Sequence, residues 1–256
     1  MNAMKDLKSK LRSGKPVIGL FLASGCTAAA EIAAGCGYDF VIVDGEHGQG
    51  DERSQFDQIA RLEKYETAVL VRIPSFRREY VQRVLDYGCD GVLAPMMETE
   101  EQAREFAASM RYAPRGTRGM TGIFRASGYN REIDSYLENA DEKLLCAVQI
   151  ESAAGVENAE KIAAAEGIDL LFIGHSDLSM DYGCYKQFSD PRVRTAEKRI
   201  IEAASKHGKF AGMVLRPGMD LKRYSASGVN FICTGTDLGL MQTAFRQSLK
   251  TVSDQK

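Results

Sequence analysis

The sequence predicts a (β/α)8 TIM barrel, and three observations support this fold class. Eight short apolar runs, rich in β-branched residues, are distributed along the whole 256-residue chain. These runs are continuously apolar rather than alternating, which is typical of parallel strands covered on both faces. Segments with helical periodicity lie between them, as a barrel of alternating strands and helices requires.

The predicted strands are, in order, PVIGLFL (16–22), DFVIVD (39–44), AVLVRI (68–73), GVLAPM (91–96), LLCAVQIE (144–151), DLLFIG (169–174), KFAGMVL (209–215) and NFICTG (230–235). Four of them follow a Gly-x-Asp or Gly-x-Asn triplet, at 37–39, 88–90, 167–169 and 228–230. Glycine there suits the left-handed cap that ends a helix. An open doubly wound sheet is the alternative, but no G-x-G-x-x-G follows the first strand.

The whole chain, 1–256, is predicted to form one domain, because no linker or low-complexity tract divides it. Residues 1–13 are expected to form an extra amphipathic helix that covers the bottom of the barrel. Residues 113–142 are longer than a simple loop and are expected to contain a helix around 133–139.

Composition excludes several classes of partner. The net charge is −2 with no basic block, so nothing indicates binding to nucleic acid. No apolar run reaches the ~18–20 residues of a membrane helix, and the first residues lack the apolar core of a secretory signal. Six scattered cysteines form no C-x-x-C pair, which indicates a cytoplasmic protein.

Polar residues end or directly follow five of the predicted strands, at the barrel face where active sites lie. They are Asp44, Glu46, His47, Arg72, Gln149, Glu151, His175, Ser176, Asp177 and Asp237. The loop after the seventh strand, 215–218, resembles a phosphate site only weakly. No lysine ends a strand, which disfavours an aldolase of the Schiff-base type.

Glu151 and Asp177 end neighbouring predicted strands, so their carboxylates are expected to lie close together. Two close carboxylates repel each other unless they share a proton or a cation. Oxygen ligands with few other protein donors suit Mg²⁺ or Mn²⁺. The alternative is that both residues are ordinary helix N-caps.

Arg72 interrupts an apolar strand and needs an anionic partner, either a structural carboxylate or a substrate carboxylate or enolate. His47 is either a satisfied polar residue or a general base whose ring Asp44 or Asp86 orients. The other two histidines, His175 and His207, are expected to be structural.

Six sequence motifs resemble the HpcH/HpaI aldolase family, which consists of metal-dependent (class II) pyruvate aldolases. They are AEIAAGCGYDFVIVDGEHG, VLVRIPS, VLDYGCDGVLAPMMETEEQA, PRGTRGM, VQIESAAGVENAEKIAA and GIDLLFIGHSDLS. They occur in order, and the match runs from about Lys15 to the C-terminus. Members often have proline where this chain has His175, which affects the expected substrate preference.

The resemblance implies a barrel of the phosphoenolpyruvate/pyruvate type and assigns roles to individual residues. Glu151 and Asp177 would bind Mg²⁺ or Mn²⁺, with Co²⁺ or Zn²⁺ as alternatives. His47 would be the catalytic base, made more basic by Asp86, with Asp44 helping to position it. Contacts to the 2-oxo acid would come from Arg72, which stabilises the enolate, and from Gln149, Ser176 and Asp177.

The reaction implied is reversible cleavage of a 4-hydroxy-2-oxo acid to pyruvate and an aldehyde, through an enolate that the metal and Arg72 stabilise. Met96, Met97, Phe124 and Tyr129 either line the aldehyde pocket or belong to the core. The alternatives are another lyase or decarboxylase using the same enolate chemistry, and a catalytically silent barrel that acts as a binding protein. The resemblance also implies a homohexamer, a trimer of dimers that exchange their last helix.

Overall fold

The computed structural model, which describes residues 4–216 and 218–254, has a strand in each of the eight predicted segments. The strands are β1 (Val17–Leu22), β2 (Phe40–Asp44), β3 (Ala68–Arg72), β4 (Gly91–Ala94), β5 (Leu145–Ile150), β6 (Leu170–Ile173), β7 (Phe210–Val214) and β8 (Val229–Thr236). Neighbouring strands are parallel, and β8 pairs with β1, so the sheet is a closed barrel. The barrel prediction is confirmed, and the open doubly wound alternative is wrong.

Helices connect the strands and surround the barrel. They are α1 (Leu7–Arg12), α2 (Thr27–Gly35), α3 (Glu52–Arg61), α4 (Arg78–Tyr87), α5 (Glu100–Ser109), α6 (Ile133–Lys143), α7 (Ala153–Glu157), α8 (Ala159–Ala164), α9 (His175–Asp181), α10 (Pro191–Lys206), α11 (Leu221–Ala226) and α12 (Asp237–Ser253). The helix expected within 113–142 is therefore present as α6. In the described part of the chain, no helix is both long and apolar enough to cross a bilayer.

Aromatic rings fill the interior of the barrel. Phe40 and Phe231 stack with their centroids 3.8 Å apart, and Phe172 meets Phe231 edge-on at 6.1 Å. A Cβ atom at Gly19 would lie 2.4 Å from the Phe40 ring, so this position of β1 must be glycine. The volume of one aromatic side chain thus determines the residue on the neighbouring strand.

Helix α1 closes the bottom of the barrel, the end opposite the predicted site. Leu7 and Leu11 are each 1% exposed and pack into the interior cluster. Lys8 lies between them and places its Nζ 2.8 Å from the Asp169 carboxylate. The predicted helix 1–13 is therefore shorter, Leu7–Arg12, and its residues 1–3 lie outside the described part of the chain.

The Gly-x-Asp triplets tie this bottom end together. The glycines of these three triplets and of the Gly-x-Asn triplet have φ between 89° and 98°, which confirms the predicted left-handed caps: Gly37, Gly88, Gly167 and Gly228. The carboxylates of Asp39, Asp90 and Asp169 each accept an N–H from the preceding strand, at 2.8–3.0 Å. Lys10 and Lys8 pair with Asp39 and Asp169, so the triplets also hold α1 in place. The polar residues at the opposite rim take no part in these contacts, so holding the bottom of the barrel together does not explain them.

Candidate active site at the barrel rim

Arg72 and Asp44 form a buried ion pair at the ends of β3 and β2. The strand register places the two residues opposite each other. Arg72 donates from Nε to Asp44 Oδ1 at 2.9 Å and from Nη2 to Oδ2 at 2.7 Å, while its Nη1 lies 3.0 Å from Glu46 Oε2. A guanidinium has five N–H groups, so these three contacts leave two for a ligand. The partner of Arg72 that the sequence left open is therefore, within this chain, a structural carboxylate.

The pKa values of the three groups of this cluster shift in different directions from their ordinary values. Burial opposes ionisation of Asp44, but the hydrogen bonds and charge of Arg72 outweigh it, and the pKa of Asp44 is lowered. Burial also raises the pKa of Glu46, and there the charge of Arg72 is not sufficient to offset it. The pKa of Arg72 is raised, because Asp44 outweighs the desolvation of the guanidinium. The guanidinium of Arg72 thus stays positively charged at the rim.

The turn after β2 explains why glycines surround the acidic residues and the histidine. A Cβ at Gly45 would lie 2.7 Å from the Arg72 carbonyl oxygen, and one at Gly48 would lie 2.1 Å from that of Asp44. The tight turn lets the His47 N–H donate to Asp44 Oδ1 at 3.2 Å. The His47 ring points outward with 66% of the side chain exposed, and its Nε2 is 3.9 Å from Glu46 Oε2. The ring is therefore accessible to a ligand.

Glu151, after β5, is held by a strained backbone turn. Its Oε1 accepts the N–H of Met96 at 2.9 Å, and the Gln149 side-chain amide donates to Oε2. Met96 has a φ of 50°, a conformation that residues other than glycine rarely adopt. A Cβ at Gly174 would lie 2.4 Å from Glu151 Oε2, so this side chain fits only because residue 174 lacks one.

The charges around Glu151 fit a divalent cation. The pKa of Glu151 is raised to about 7, chiefly by burial, and the nearby carboxylates of Asp177 and Glu46 contribute to this rise. Asp177 lies exposed in the first turn of α9, and Gln149 Oε1 is buried without a hydrogen-bond partner. A cation bound between Glu151 and Asp177 would relieve their repulsion. Within 4–216 and 218–254, no group of three or more His, Cys, Asp or Glu side chains forms a metal site.

Asp86 does not reach His47 within the described chain. It lies on α4, where its Oδ1 accepts from Arg118 at 2.8 Å. Burial raises the pKa of Asp86, while Arg118 opposes this shift. Arg118 also donates to the Tyr136 hydroxyl at 2.9 Å and stacks on Tyr112. The effect of Asp86 on His47 thus stays a prediction.

The two remaining histidines each lie near a glutamate. His175 is 2% exposed, and its Nε2 lies 2.9 Å from Glu197 Oε2 on α10. His207 lies at the end of α10, 4.0 Å from Glu160. These positions agree with the structural roles expected for both.

The residues considered for an aldehyde pocket separate into two groups. Met97 and Phe124 are 0% and 5% exposed and belong to the core, where Phe124 packs edge-on against Tyr136. Met96 and Tyr129 are 44% and 57% exposed. Only the exposed pair is therefore available to a ligand.

Arg216 is a rim residue that the sequence analysis did not assign. It follows β7, donates from Nη2 to Ser176 Oγ at 2.9 Å, and stacks on Phe188. Its position just after the seventh strand was the available signal, because an arginine there faces the same rim as Arg72.

Comparison with known proteins agrees with this architecture. Residues 17–244 match the HpcH/HpaI aldolase/citrate lyase family. The chain is 37% identical to a hydroxypyruvate/pyruvate aldolase of Delftia acidovorans over 93% of its length and 88% of that protein. It is 34% identical to a 5-keto-4-deoxy-D-glucarate aldolase of Shigella dysenteriae, over 95% of each chain.

A solved structure gives the same result. The crystal structure of a HpcH/HpaI aldolase/citrate lyase family protein from Burkholderia cenocepacia superposes with a TM-score of 0.91. The two sequences are 32% identical, and the match covers 97% of this chain and 99% of that one. The chain belongs to the HpcH/HpaI aldolase/citrate lyase family.

Proposed function

We propose that this protein is an aldolase that reversibly cleaves a 4-hydroxy-2-oxo acid to pyruvate and an aldehyde. The observation that carries the proposal is the Asp44-anchored guanidinium of Arg72 at the same rim as the carboxylates of Glu151 and Asp177, which repel each other. Glu151 also contributes to the raised pKa of Arg72, which agrees with both groups facing the same rim. The aldolase names of the relatives and the family membership support the same reaction.

Glu151 and Asp177 are the residues that would hold a divalent metal. Two carboxylates with water and substrate as the other ligands suit Mg²⁺ or Mn²⁺, with Co²⁺ or Zn²⁺ as alternatives. When bound, the cation would act as a Lewis acid toward the oxygen atoms of the 2-oxo acid.

The chain's own groups would perform the other steps. His47 is exposed at the rim and would accept the proton of the C4 hydroxyl, directly or through a water molecule. As the C3–C4 bond breaks, its electrons form an enolate whose C2 oxygen gains negative charge. The two remaining N–H groups of Arg72 would donate to that oxygen. Gln149 and the backbone at Ser176 would contact the oxo acid.

Metal removal tests this function directly. We expect pyruvate release, followed with lactate dehydrogenase, from members of a panel of 4-hydroxy-2-oxo acids in the presence of Mg²⁺ or Mn²⁺. EDTA should abolish the release, and added metal should restore it. Pyruvate formation that persists in EDTA would contradict the metal assignment. Release from oxaloacetate alone would indicate a decarboxylase with the same enolate chemistry, and no turnover at all would indicate a binding protein.

We further propose a homohexamer, a trimer of dimers that exchange helix α12, and the exposure of this helix supports the exchange. Only Asp237 of its 17 residues is buried in the single chain. Phe245, Leu249 and Val252 recur on one face and are 71%, 70% and 59% exposed. We expect light scattering to give a hexamer for the wild type and a smaller species for Phe245→Glu with Leu249→Glu. A wild-type monomer would contradict the assembly.

Two broader assignments complete the proposal. The whole chain would act as one domain, since one closed barrel carries all the rim residues described above. The protein would be cytoplasmic, and its six unbridged cysteines, four of them buried in the fold, support a reducing compartment.

A further inference from the structure

Arg216 is a half-buried arginine without a carboxylate partner in the described part of the chain. Its only side-chain hydrogen bond there is to Ser176 Oγ, at 2.9 Å, and its Nε is buried without a partner. By contrast, Arg72 at the rim and Arg118 in the core each pair with an aspartate at 2.7–2.8 Å. Arg216 therefore keeps an uncompensated positive charge at the barrel mouth.

The electrostatics of the three arginines agree with this difference. The carboxylates paired with Arg72 and Arg118 contribute to raising the pKa of each guanidinium. For Arg216 the desolvation of the guanidinium dominates and its pKa is lowered. An anion placed next to Arg216 would offset the cost of desolvating its charged guanidinium, as Asp44 does for Arg72.

The surrounding side chains hold Arg216 in one position. Its guanidinium carbon lies 4.1 Å from the centroid of Phe188. His175 also contacts Phe188: its ring meets Phe188 edge-on at 6.1 Å and is fixed by Glu197. Arg216 thus stacks on an aromatic ring that is itself supported, which is the arrangement of a preorganised anion-binding arginine.

The location of Arg216 indicates which part of a substrate it would meet. Ser176, which accepts its hydrogen bond, immediately precedes the proposed metal ligand Asp177. Arg72, on the other side of the rim, has been assigned to the enolate oxygen. Arg216 is therefore available for atoms beyond the oxo acid, that is, for the aldehyde half of the substrate.

We propose that Arg216 determines substrate specificity by binding an anionic group, a carboxylate or a phosphate, at the far end of the aldehyde half. This inference rests on the proposed aldolase function. Guanidinium groups bind both anions through paired N–H donors, so the structure fits a carboxylate or a phosphate. Aldehydes with an anionic tail should be preferred over neutral aldehydes of similar length.

The first test measures condensation of pyruvate with four aldehydes in the Mg²⁺-loaded enzyme. They are succinic semialdehyde, glyceraldehyde 3-phosphate, butanal and glyceraldehyde. In Arg216→Gln we expect kcat/KM to fall about tenfold or more for whichever anionic aldehyde is the better substrate, the size of one lost charge-assisted hydrogen bond. The neutral aldehydes should change less than about twofold. Arg104→Gln, on the outer helix α5, is the matched control.

An equal fall for anionic and neutral aldehydes would overturn the proposal, because Arg216 would then act by positioning Ser176. An unchanged preference would overturn it as well.

The second test uses no catalysis, so that its failure is distinct from failure of the aldolase function. With Mg²⁺ and saturating pyruvate present, saturation-transfer NMR should detect succinate on the wild type and on Arg104→Gln. The same signal should be lost in Arg216→Gln. Equal succinate signals in all three proteins would overturn the role of Arg216, whatever their activity. A loss confined to Arg216→Gln in an enzyme that releases no pyruvate would support the anion site and contradict only the reaction.

Discussion

Replacement of Arg72 by alanine is expected to lower the rate of pyruvate release by about 10²–10³-fold. The guanidinium is held by Asp44 and Glu46 before any substrate arrives. Its two remaining N–H groups can therefore stabilise the developing enolate without reorganisation. A rate loss of this size is typical of removing one preorganised donor from an active site.

The same substitution should also destabilise the fold. Arg72 is 9% exposed, and its removal leaves Asp44, 4% exposed, without a counterion. Breaking a buried ion pair from one side costs about 3–5 kcal/mol in the free energy of unfolding. Arg72→Lys keeps the charge, so most of the stability should be retained, but lysine cannot reproduce the forked contact with Asp44.

The comparison of the two variants separates catalysis from stability. Pyruvate release and urea unfolding would be measured for the wild type, Arg72→Lys and Arg72→Ala. We expect both variants to be slow and only the alanine variant to be strongly destabilised. A lysine variant with wild-type turnover would show that the guanidinium is not needed for the reaction. An alanine variant with wild-type stability would contradict the buried pair as a structural element.

The positions of the strands and their polar ends could be predicted because they depend on local sequence. A short, continuous apolar run that ends at Asp44 or Glu151 is typical of a buried strand whose end reaches the surface. In a parallel barrel all such ends meet at one rim, so the set of residues follows from the topology alone. The glycine caps were equally local, and the structure confirms all four.

The partners of the long polar side chains could not be predicted in this way. Asp86 pairs with Arg118, and Arg216 stacks on Phe188, because of how distant segments of the chain pack against one another. Nothing near Asp86 in the sequence distinguishes a partner of His47 from a partner of Arg118. Arg216 could not be singled out from the sequence, because the absence of a carboxylate beside it is known only from the packing of its neighbours.

Replacement of Glu151 by glutamine is expected to reduce metal affinity strongly. The loss should exceed the roughly 10- to 100-fold that is typical of removing a residue that only hydrogen-bonds to a metal ligand. The fold should tolerate the change. A glutamine oxygen can still accept the N–H of Met96, and Gln149 can turn its amide so that its unpartnered Oε1 accepts from the new amide. Metal content after dialysis, with Glu202→Gln as the exposed control, measures the effect.

The pH dependence of the metal-free protein provides a second measurement on the same variant. The pKa of Glu151 is raised from 4.5 to about 7, so the folded state favours the protonated carboxyl. Its contribution to stability is therefore full below pH 4.5 and is lost as the pH rises through about 7. Glu151→Gln cannot ionise and should lack this loss, so in EDTA it should melt above the wild type at pH 8 and near it at pH 4. The same pH dependence in both proteins would mean that Glu151 is not a carboxyl group with a raised pKa. Metal retained by the variant would exclude Glu151 as a ligand.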